Sequence, residues 1–404
     1  MPSTSTASLL EARPAAAPHH DGSPDDLISA VERAGLRGRG GAGFPLADKM
    51  RAVRAAALRT GREPLVVANA YDADPGSPLS RTLIARNVEG LVSGVAIAAH
   101  GVGAREAIVY MHPEAQAERG TVERHIASRA DRDGLAGLLV TVALGPGGFM
   151  GGEESALMNV LESKRSMARQ RPPYPADLGV QQRPTLISSA ETLAWLPQVV
   201  HGAARADTKL VSVTGAVRDP GVYEIPLGTT LAAILEKAGG VSGRLKGIHV
   251  GGPTGGILSA ARADTRFDFD ALRAAGTHMG SAQVRALTTD TCVVAEAAKL
   301  WSYLARETCG ICVPCRVGTA RVTGILESVQ SQLGRETDTK WLGELGDHME
   351  KFSLCGFGIT APAILRTTMR EFADDYRAHI AERRCPTNTC TPVRSRRYET
   401  MAQP

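Results

Sequence analysis

Three cysteines, Cys309, Cys312 and Cys315, stand in the string ETCGICVPCR, and a fourth, Cys355, follows in SLCGFG. The C-x2-C-x2-C spacing holds three thiolates within about two helical turns, close enough to converge on one inorganic core. A cubane [4Fe–4S] cluster has four iron corners, so three local thiolates need one more. Cys355 is placed to supply it. Structural zinc sites usually pair C-x2-C units, and a third cysteine in the same short run suits a cluster better. Disulfides fit poorly, because nothing marks the chain as secreted. The quartet points to electron transfer.

Two glycine-rich loops offer a second kind of chemistry. GRGGAG matches G-x-G-x-x-G at Gly38, Gly40 and Gly43. The dinucleotide fingerprint requires a strand just before it, and here the pattern predicts a helix. The physical content survives: consecutive glycines permit φ > 0 and let backbone N–H groups approach a phosphate. Arg37, Arg39 and Lys49 place positive charge nearby, and a plain surface turn is the alternative. GPGGFMGGEE, the second loop, follows a predicted strand and precedes a predicted helix, the usual place for a nucleotide. Its Glu153 and Glu154 suit ribose hydroxyls or a nicotinamide amide, or else an acidic first helical turn facing the dipole. Near the end, Cys385 and Cys390 form C-x4-C with His379 upstream. Those three ligands fall one short of the usual zinc set, and a tail with free thiols is the alternative. Cys292, in an apolar context, reads as core.

The elements that must position these residues alternate. DDLISAVERA (25–34) predicts a helix with an acidic first turn, running into the first glycine loop. EPLVVANA, EAIVYMHP and LLVTVAL predict buried strands; Leu79 to Ala99, Thr121 to Ser128 and SALMNVLES predict helices. Such alternation, with glycine loops at strand ends, indicates an α/β layer binding ligands at its loop edge. From Asp207 the texture changes. KLVSVTGAVRDPGVYEIP alternates apolar and polar residues around a Pro-Gly turn, and TTLAAILEKAGG predicts a helix stopped by Gly239 and Gly240. A small β-grasp module fits that order. From Thr291 to about Ile380 the pattern is helical. The expected division is 1–25 disordered tail, 26–206 α/β domain, 207–285 β-grasp domain, 286–384 helical cluster domain and 385–404 tail.

Bulk properties agree. The 404 residues suffice for two or three cores, and 43% hydrophobic with 22% charged residues is ordinary for a globular protein. A net charge of +4 with no basic face interleaved with aromatics argues against nucleic acid. The sequence has no run of 18 apolar residues and no secretory h-region, and seven cysteines without a disulfide pattern suit a reducing, cytoplasmic setting.

In this order, LRGRGGAGFP, ANAYDADPG, GPGGFMGGEESAL, RPPYPADLGV, VSVTGAVRDPGVYEIPLG, ETCGICVPCRVGT and SLCGFG resemble the NADH-binding flavoprotein subunit of respiratory complex I. The same subunit type occurs in NAD-linked hydrogenases and formate dehydrogenases. The resemblance spans about 26 to 384. It implies a Rossmann-like domain for FMN and NADH, a β-grasp domain, and a helical bundle carrying one [4Fe–4S] cluster. It also implies that Gly38, Gly40, Gly41 and Gly43 line the FMN phosphate with Arg39 and Lys49, and that Asn69 bonds the flavin. Phe44 and Tyr174 would stack with adenine. Asp72, Asp74, Glu153, Glu154, Arg171 and Ser189 would contact NADH or the flavin edge, and Cys309, Cys312, Cys315 and Cys355 would ligate the cluster. The activity implied is hydride transfer from NADH to FMN, then single electrons through the cluster to a partner. That partner would be a thioredoxin-like [2Fe–2S] subunit or a ferredoxin-type acceptor, in a complex lying at most peripheral to a membrane.

Departures from the family pattern concentrate in the nucleotide half. The family's Asn-Ala-Asp-Glu is Asn69-Ala70-Tyr71-Asp72 here, which puts a phenol for an acid, and a following glutamate is shortened to Asp74. Ser188 and Ser189 stand where the family carries an asparagine. Met50 follows the lysine in place of an aromatic. Phe149 replaces a tyrosine and Gly151 a cysteine. Two further readings therefore stay open: an electron-transfer subunit with altered NADH specificity and another donor, or a structural scaffold in a redox complex.

Overall fold

The computed structural model describes residues 8–11, 22–130, 135, 137–200, 202 and 207–391. Strands β1 (Leu65–Ala70), β2 (Glu106–Met111), β3 (Leu139–Leu144) and β4 (Thr185–Ser189) form a parallel sheet in the order β3-β2-β1-β4. Parallel neighbours need crossovers, and the helices supply them. These are α1 (Pro24–Arg33), α2 (Leu46–Thr60), α3 (Leu79–Val102), α4 (Gln116–Ala130), α5 (Glu154–Leu161), α6 (Ala190–Ala194) and α7 (Leu196–Val200). Alternation along β1 divides its side chains between two cores. Val66, Ala68 and Ala70 join Leu83, Leu91 and Val95 of α3, while Leu65, Val67 and Tyr71 join Leu157 and Met158 of α5. Burial on both faces explains why these strands are apolar runs.

Helix α2 is not among the elements the sequence pattern predicts, in which the glycine loop leads straight to β1. Its signal is Leu46, Met50 and Val53 at helical spacing, ended by Gly61 at φ 65. Met50 is thus a core residue. Leu79–Val102 has the length and composition of a membrane-crossing helix, yet 67% of its most apolar stretch is buried within the protein. It also kinks at Asn87, whose side chain recaps Gly90 N at 2.8 Å.

The second sheet has strands β5 (Thr208–Gly215), β6 (Gly221–Pro226), β7 (Leu245–Val250), β8 (Gly256–Ser259) and β9 (Gln283–Thr288), in the order β6-β5-β9-β7-β8. β5 and β9 run parallel and every other pairing is antiparallel, with α8 (Leu231–Lys237) and α9 (Phe269–Ala274) between strands. Gly239 and Gly240 follow α8 at φ 78 and 79, as their place after the helix predicts. β9 ends at Thr288, past the expected boundary at 285.

The remaining helices are α10 (Val293–Glu307), α11 (Val313–Gln330), α12 (Asp338–Phe352), α13 (Gly356–Thr360), α14 (Ala363–Glu371) and α15 (Ala373–Ile380). They bury Trp301, Val322, Leu326, Leu342 and Met349 in one core. α14 also closes the edge strand β8, where Thr367 Oγ1 accepts from Ile257 N at 2.9 Å.

Both terminal expectations need adjustment within the described residues. In 8–11, Leu9 and Leu10 are buried, and the Glu224 carboxylate accepts from Leu9 N at 2.8 Å. An adjacent leucine pair gives that short piece apolar surface to bury. At the other end Cys385 and Cys390 are buried too.

Candidate functional site

A cavity of about 600 Å³ lies at the carboxyl ends of the parallel strands, where open α/β sheets bind ligands. Arg39, Gly40 and Gly41 form one wall; Asn69, Asp72 and Asp74, at the end of β1 and just after it, form a second. Glu153 and Ser189 complete the nucleotide side. Gly356, Phe357 and Thr360, one to five residues after Cys355, line the cavity's cluster side. One cavity therefore joins the glycine loop to the cluster segment. Among the other expected residues, Gly38, Gly43, Phe44, Lys49, Glu154, Arg171 and Tyr174 do not line it. Phe44 and Tyr174 are more than half exposed.

The glycine loop is a closed turn: Gly38 N donates to Phe44 O at 2.8 Å. Gly41 and Gly43 adopt φ 105 and 68. A Cβ on Gly41 would lie 2.8 Å from Gly280 O, and one on Gly43 would lie 2.6 Å from the Phe269 ring. These glycines thus admit close approach of the Phe269 and Gly280 segments. Gly40 is less confined, its nearest neighbour being Ser189 Cβ at 3.7 Å. Arg39 is 3% exposed, with its backbone N–H on Thr192 Oγ1 at 2.7 Å. Burial pulls its guanidinium below the usual range, opposed by Glu191 and Asp207.

The acidic residues are engaged within the protein. Asp72 accepts from Ser80 N and Arg81 N, both at 2.9 Å, and so caps the start of α3. Burial still pushes its carboxyl up to about 6. Asp74 accepts from Gly76 N at 2.9 Å and Ser281 Oγ at 2.5 Å, tying the two sheets together; burial raises it too. Glu153 Oε2 caps α5 through Ser155 N at 2.9 Å and Ala156 N at 2.8 Å, while Oε1 meets Arg171 at 2.6 Å. Lys49 Nζ donates to Glu154 at 2.6 Å and Ile187 O at 2.8 Å. Asn69 Nδ2 donates to Gly152 O at 2.9 Å, joining β1 to the second loop. Ser189 caps α6, its Oγ 2.7 Å from Thr192 Oγ1.

Tyr71 explains a second departure from the family pattern. Its ring is buried and stacked on Tyr110 at 5.2 Å. A Cβ at Gly151 would lie 2.1 Å from Tyr71 Oη, and one at Gly145 would lie 2.4 Å from the ring. The phenol fills space that a cysteine at 151 would need, so the two substitutions belong together.

The four cysteines expected to hold the cluster come from loop and helix ends. Cys309 precedes Gly310, at φ 75; Cys312 holds the N-cap position of α11, Cys315 sits in its first turn, and Cys355 holds the N-cap position of α13. The three local cysteines therefore do not share one helix. Gly358 packs this region: a Cβ there would lie 3.1 Å from Cys315 Cβ. Burial pushes the Cys315 thiol up to about 11 and Cys355 up to about 12. Cys312 and Cys309 raise the first further, and Glu153 and Cys309 the second. Buried sulfurs that disfavour one another's charge suit a cationic iron core in place of protons. Phe149 N donates to Glu307 Oε2 at 2.6 Å, and the Phe149 ring lies 5.7 Å from Phe357, which knits the second loop to the cluster side.

The residue whose role sequence reasoning missed is Cys292. It is buried as expected, but its Sγ lies 3.5 Å from both His379 Nε2 and Cys390 Sγ. No local spacing marks it, because 87 positions separate it from His379.

Comparison with known families gives three matches. The Nuo51 FMN-binding domain matches 31–198, the SLBB domain 210–258, and the NADH-ubiquinone oxidoreductase-F iron-sulfur binding region 295–379. The NADH-quinone oxidoreductase F 2 subunit of Rhizobium meliloti (strain 1021) is 34% identical, over 90% of each chain. The NADP-reducing hydrogenase subunit HndC of Solidesulfovibrio fructosivorans is 31% identical, over 92% of this chain and 79% of that one. Among solved structures, an NAD+-reducing [NiFe]-hydrogenase in the air-oxidized state superposes with a TM-score of 0.83 at 32% identity, over 93% of this chain and 67% of that one. The same kind of enzyme in the H2-reduced state gives 0.81 at 33% identity, over 89% of this chain and 63% of that one.

Proposed function

The chain belongs to the family of NADH-quinone oxidoreductase F subunits, and from that membership we propose that the cavity between the glycine loop and the Cys355 segment is its working site. The protein is an NADH-oxidising flavoprotein and iron–sulfur subunit of a larger complex. FMN, when bound, would supply the two-electron to one-electron chemistry that links NADH oxidation to a [4Fe–4S] cluster. That Gly40 and Phe357 line the same cavity carries this reading, because it puts nucleotide and cluster segments around one space.

The chain's own residues bind, orient and screen. Arg39 brings buried positive charge to the phosphate end, beside Gly40 and Gly41, where backbone can approach closely. Asn69 and Ser189, near the ends of β1 and β4, line the cavity and would offer polar contacts to the flavin. Glu153, held by Arg171 and by the α5 N–H groups, gives NADH a fixed acceptor at the wall. Glu154, Arg171 and Lys49 form an ion network beside it, and the exposed rings of Phe44 and Tyr174 are the surfaces left for adenine. Phe149 and Phe357 exclude water between the cavity and the cluster. Cys309, Cys312, Cys315 and Cys355 hold the cluster.

The partner is a protein with its own iron–sulfur centre, of the thioredoxin-like [2Fe–2S] or ferredoxin type. Exposed Ile311, Val313 and Val317 around the cluster cysteines support this, because they offer apolar contact where electrons would leave. The complex is cytoplasmic or peripheral to a membrane. Protein reconstituted with FMN should reduce an artificial acceptor with NADH faster than with NADPH. Bound flavin without NADH-dependent turnover would favour a different donor.

A further inference from the structure

Cys292, His379, Cys385 and Cys390 offer four ligand atoms, all within 4.8 Å of one another and all on buried residues. None belongs to the quartet of Cys309, Cys312, Cys315 and Cys355. The geometry points to a second, mononuclear metal site, one Zn²⁺ held by three thiolates and an imidazole. It would fasten the final described segment to the start of the cluster bundle.

Spacing supports one ion over other occupants. Zn–S bonds of about 2.3 Å in a tetrahedron set sulfurs about 3.8 Å apart. Cys292 Sγ lies 3.5 Å from Cys390 Sγ and 3.5 Å from His379 Nε2. A disulfide would need about 2.05 Å and would leave Cys385 unused. In a cubane each thiolate takes a different corner, which spreads ligand atoms further than around one ion. Three thiolates and one imidazole in a closed, buried set match structural zinc.

The surroundings orient these ligands. His379 Nδ1 lies 2.7 Å from Asp375 O, so it carries the proton and leaves the Nε2 lone pair facing the sulfurs. Asp375 is itself fixed by Lys246 at 2.6 Å, from β7. Cys385 begins a tight turn in which Asn388 N donates to Cys385 O at 3.1 Å, with Pro386 at the first corner and Asn388 at φ 55. Thr387 Oγ1, within this turn, lies 3.3 Å from Cys385 Sγ and fixes its position. Cys292 stands at the N-cap of α10, just after β9. A metal here ties the sheet-to-bundle junction to α15 and the last turn.

The full chain, purified with its cluster, is tested by elemental analysis. One zinc per chain beyond the cluster iron is expected. Cobalt substituted at this site should give the intense visible d–d bands of tetrahedral coordination. Cys390→Ala and His379→Ala should lose that zinc and those bands, while His379→Cys should keep the zinc; the [4Fe–4S] absorbance should persist in all three. If an alanine variant fails to fold, the wild-type cobalt spectrum decides. Absence of zinc with no uptake on titration, extra iron in its place, or a Cys292–Cys390 disulfide would each overturn the proposal.

Discussion

The two walls of the cavity are built on opposite plans. On the cluster side, the four cysteines sit in short loops and at helix starts, and Cys315 Sγ has a side-chain contact with Thr308 Oγ1 at 3.3 Å. On the nucleotide side, nearly every polar residue already serves the fold. Asp72 caps α3, Glu153 caps α5, Asp74 ties the sheets and Lys49 pairs with Glu154. A ligand there meets groups positioned by protein bonds, so a change in one alters both binding and stability. A cysteine ligand can be removed at less structural cost.

That contrast breaks most sharply under paired substitutions. Cys355→Ala should abolish the [4Fe–4S] absorbance and electron delivery to a partner while leaving FMN bound. Asn69→Ala should do the converse, weakening FMN by roughly tenfold, about 1–2 kcal/mol for a lost buried hydrogen bond, with iron content unchanged. Iron and flavin analysis of the two purified variants checks both. Loss of both cofactors in either one would mean that the walls are not separable.

Gly151→Cys, which restores the residue expected from the family pattern, should destabilise by about 1–3 kcal/mol because its side chain meets Tyr71. Adding Tyr71→Ala should relieve the clash, so thermal melts of the two single variants and the double variant should be strongly non-additive.

Acid titration gives a signature of the nucleotide wall. The folded carboxyl of Asp72 sits at about 6, above its ordinary 3.8, so the folded state holds a proton more tightly than the unfolded chain. Its contribution to stability is fully present below about pH 4 and is lost as pH rises through about 6. The change amounts to about 2 kcal/mol, since the residue keeps some solvent contact. Urea melts at about pH 4.5 and about pH 7 should show this slope, and Asp72→Asn should lack it. The smallest effect is expected from Glu153→Ala. Loss of the α5 cap should cost about 1 kcal/mol in the melt and raise the KM for NADH.

Legibility in the sequence follows the same divide. The cysteine quartet stands out in the sequence because three of its members share one short motif. The alternating strands were readable because burial on both faces demands apolar runs. Helix α2 was overlooked because its alanines and arginines hide a narrow stripe of Leu46, Met50 and Val53. The internal duties of Asp72 and Asp74 depend on Ser80, Arg81 and Ser281, contacts that no local pattern announces. The clearest case is Cys292. Cys385 and Cys390 were visible as a pair, yet their fourth partner lies 98 positions from Cys390 and only the fold brings it there.

On the proposed function, one cavity connects NADH to the cluster. An anaerobic NADH titration of protein holding both FMN and cluster tests it directly, with flavin absorbance and cluster electron paramagnetic resonance followed together. The flavin should bleach and the reduced-cluster signal should rise in the same titration. A cluster that dithionite reduces, but that stays oxidised under excess NADH while the flavin bleaches, would contradict it.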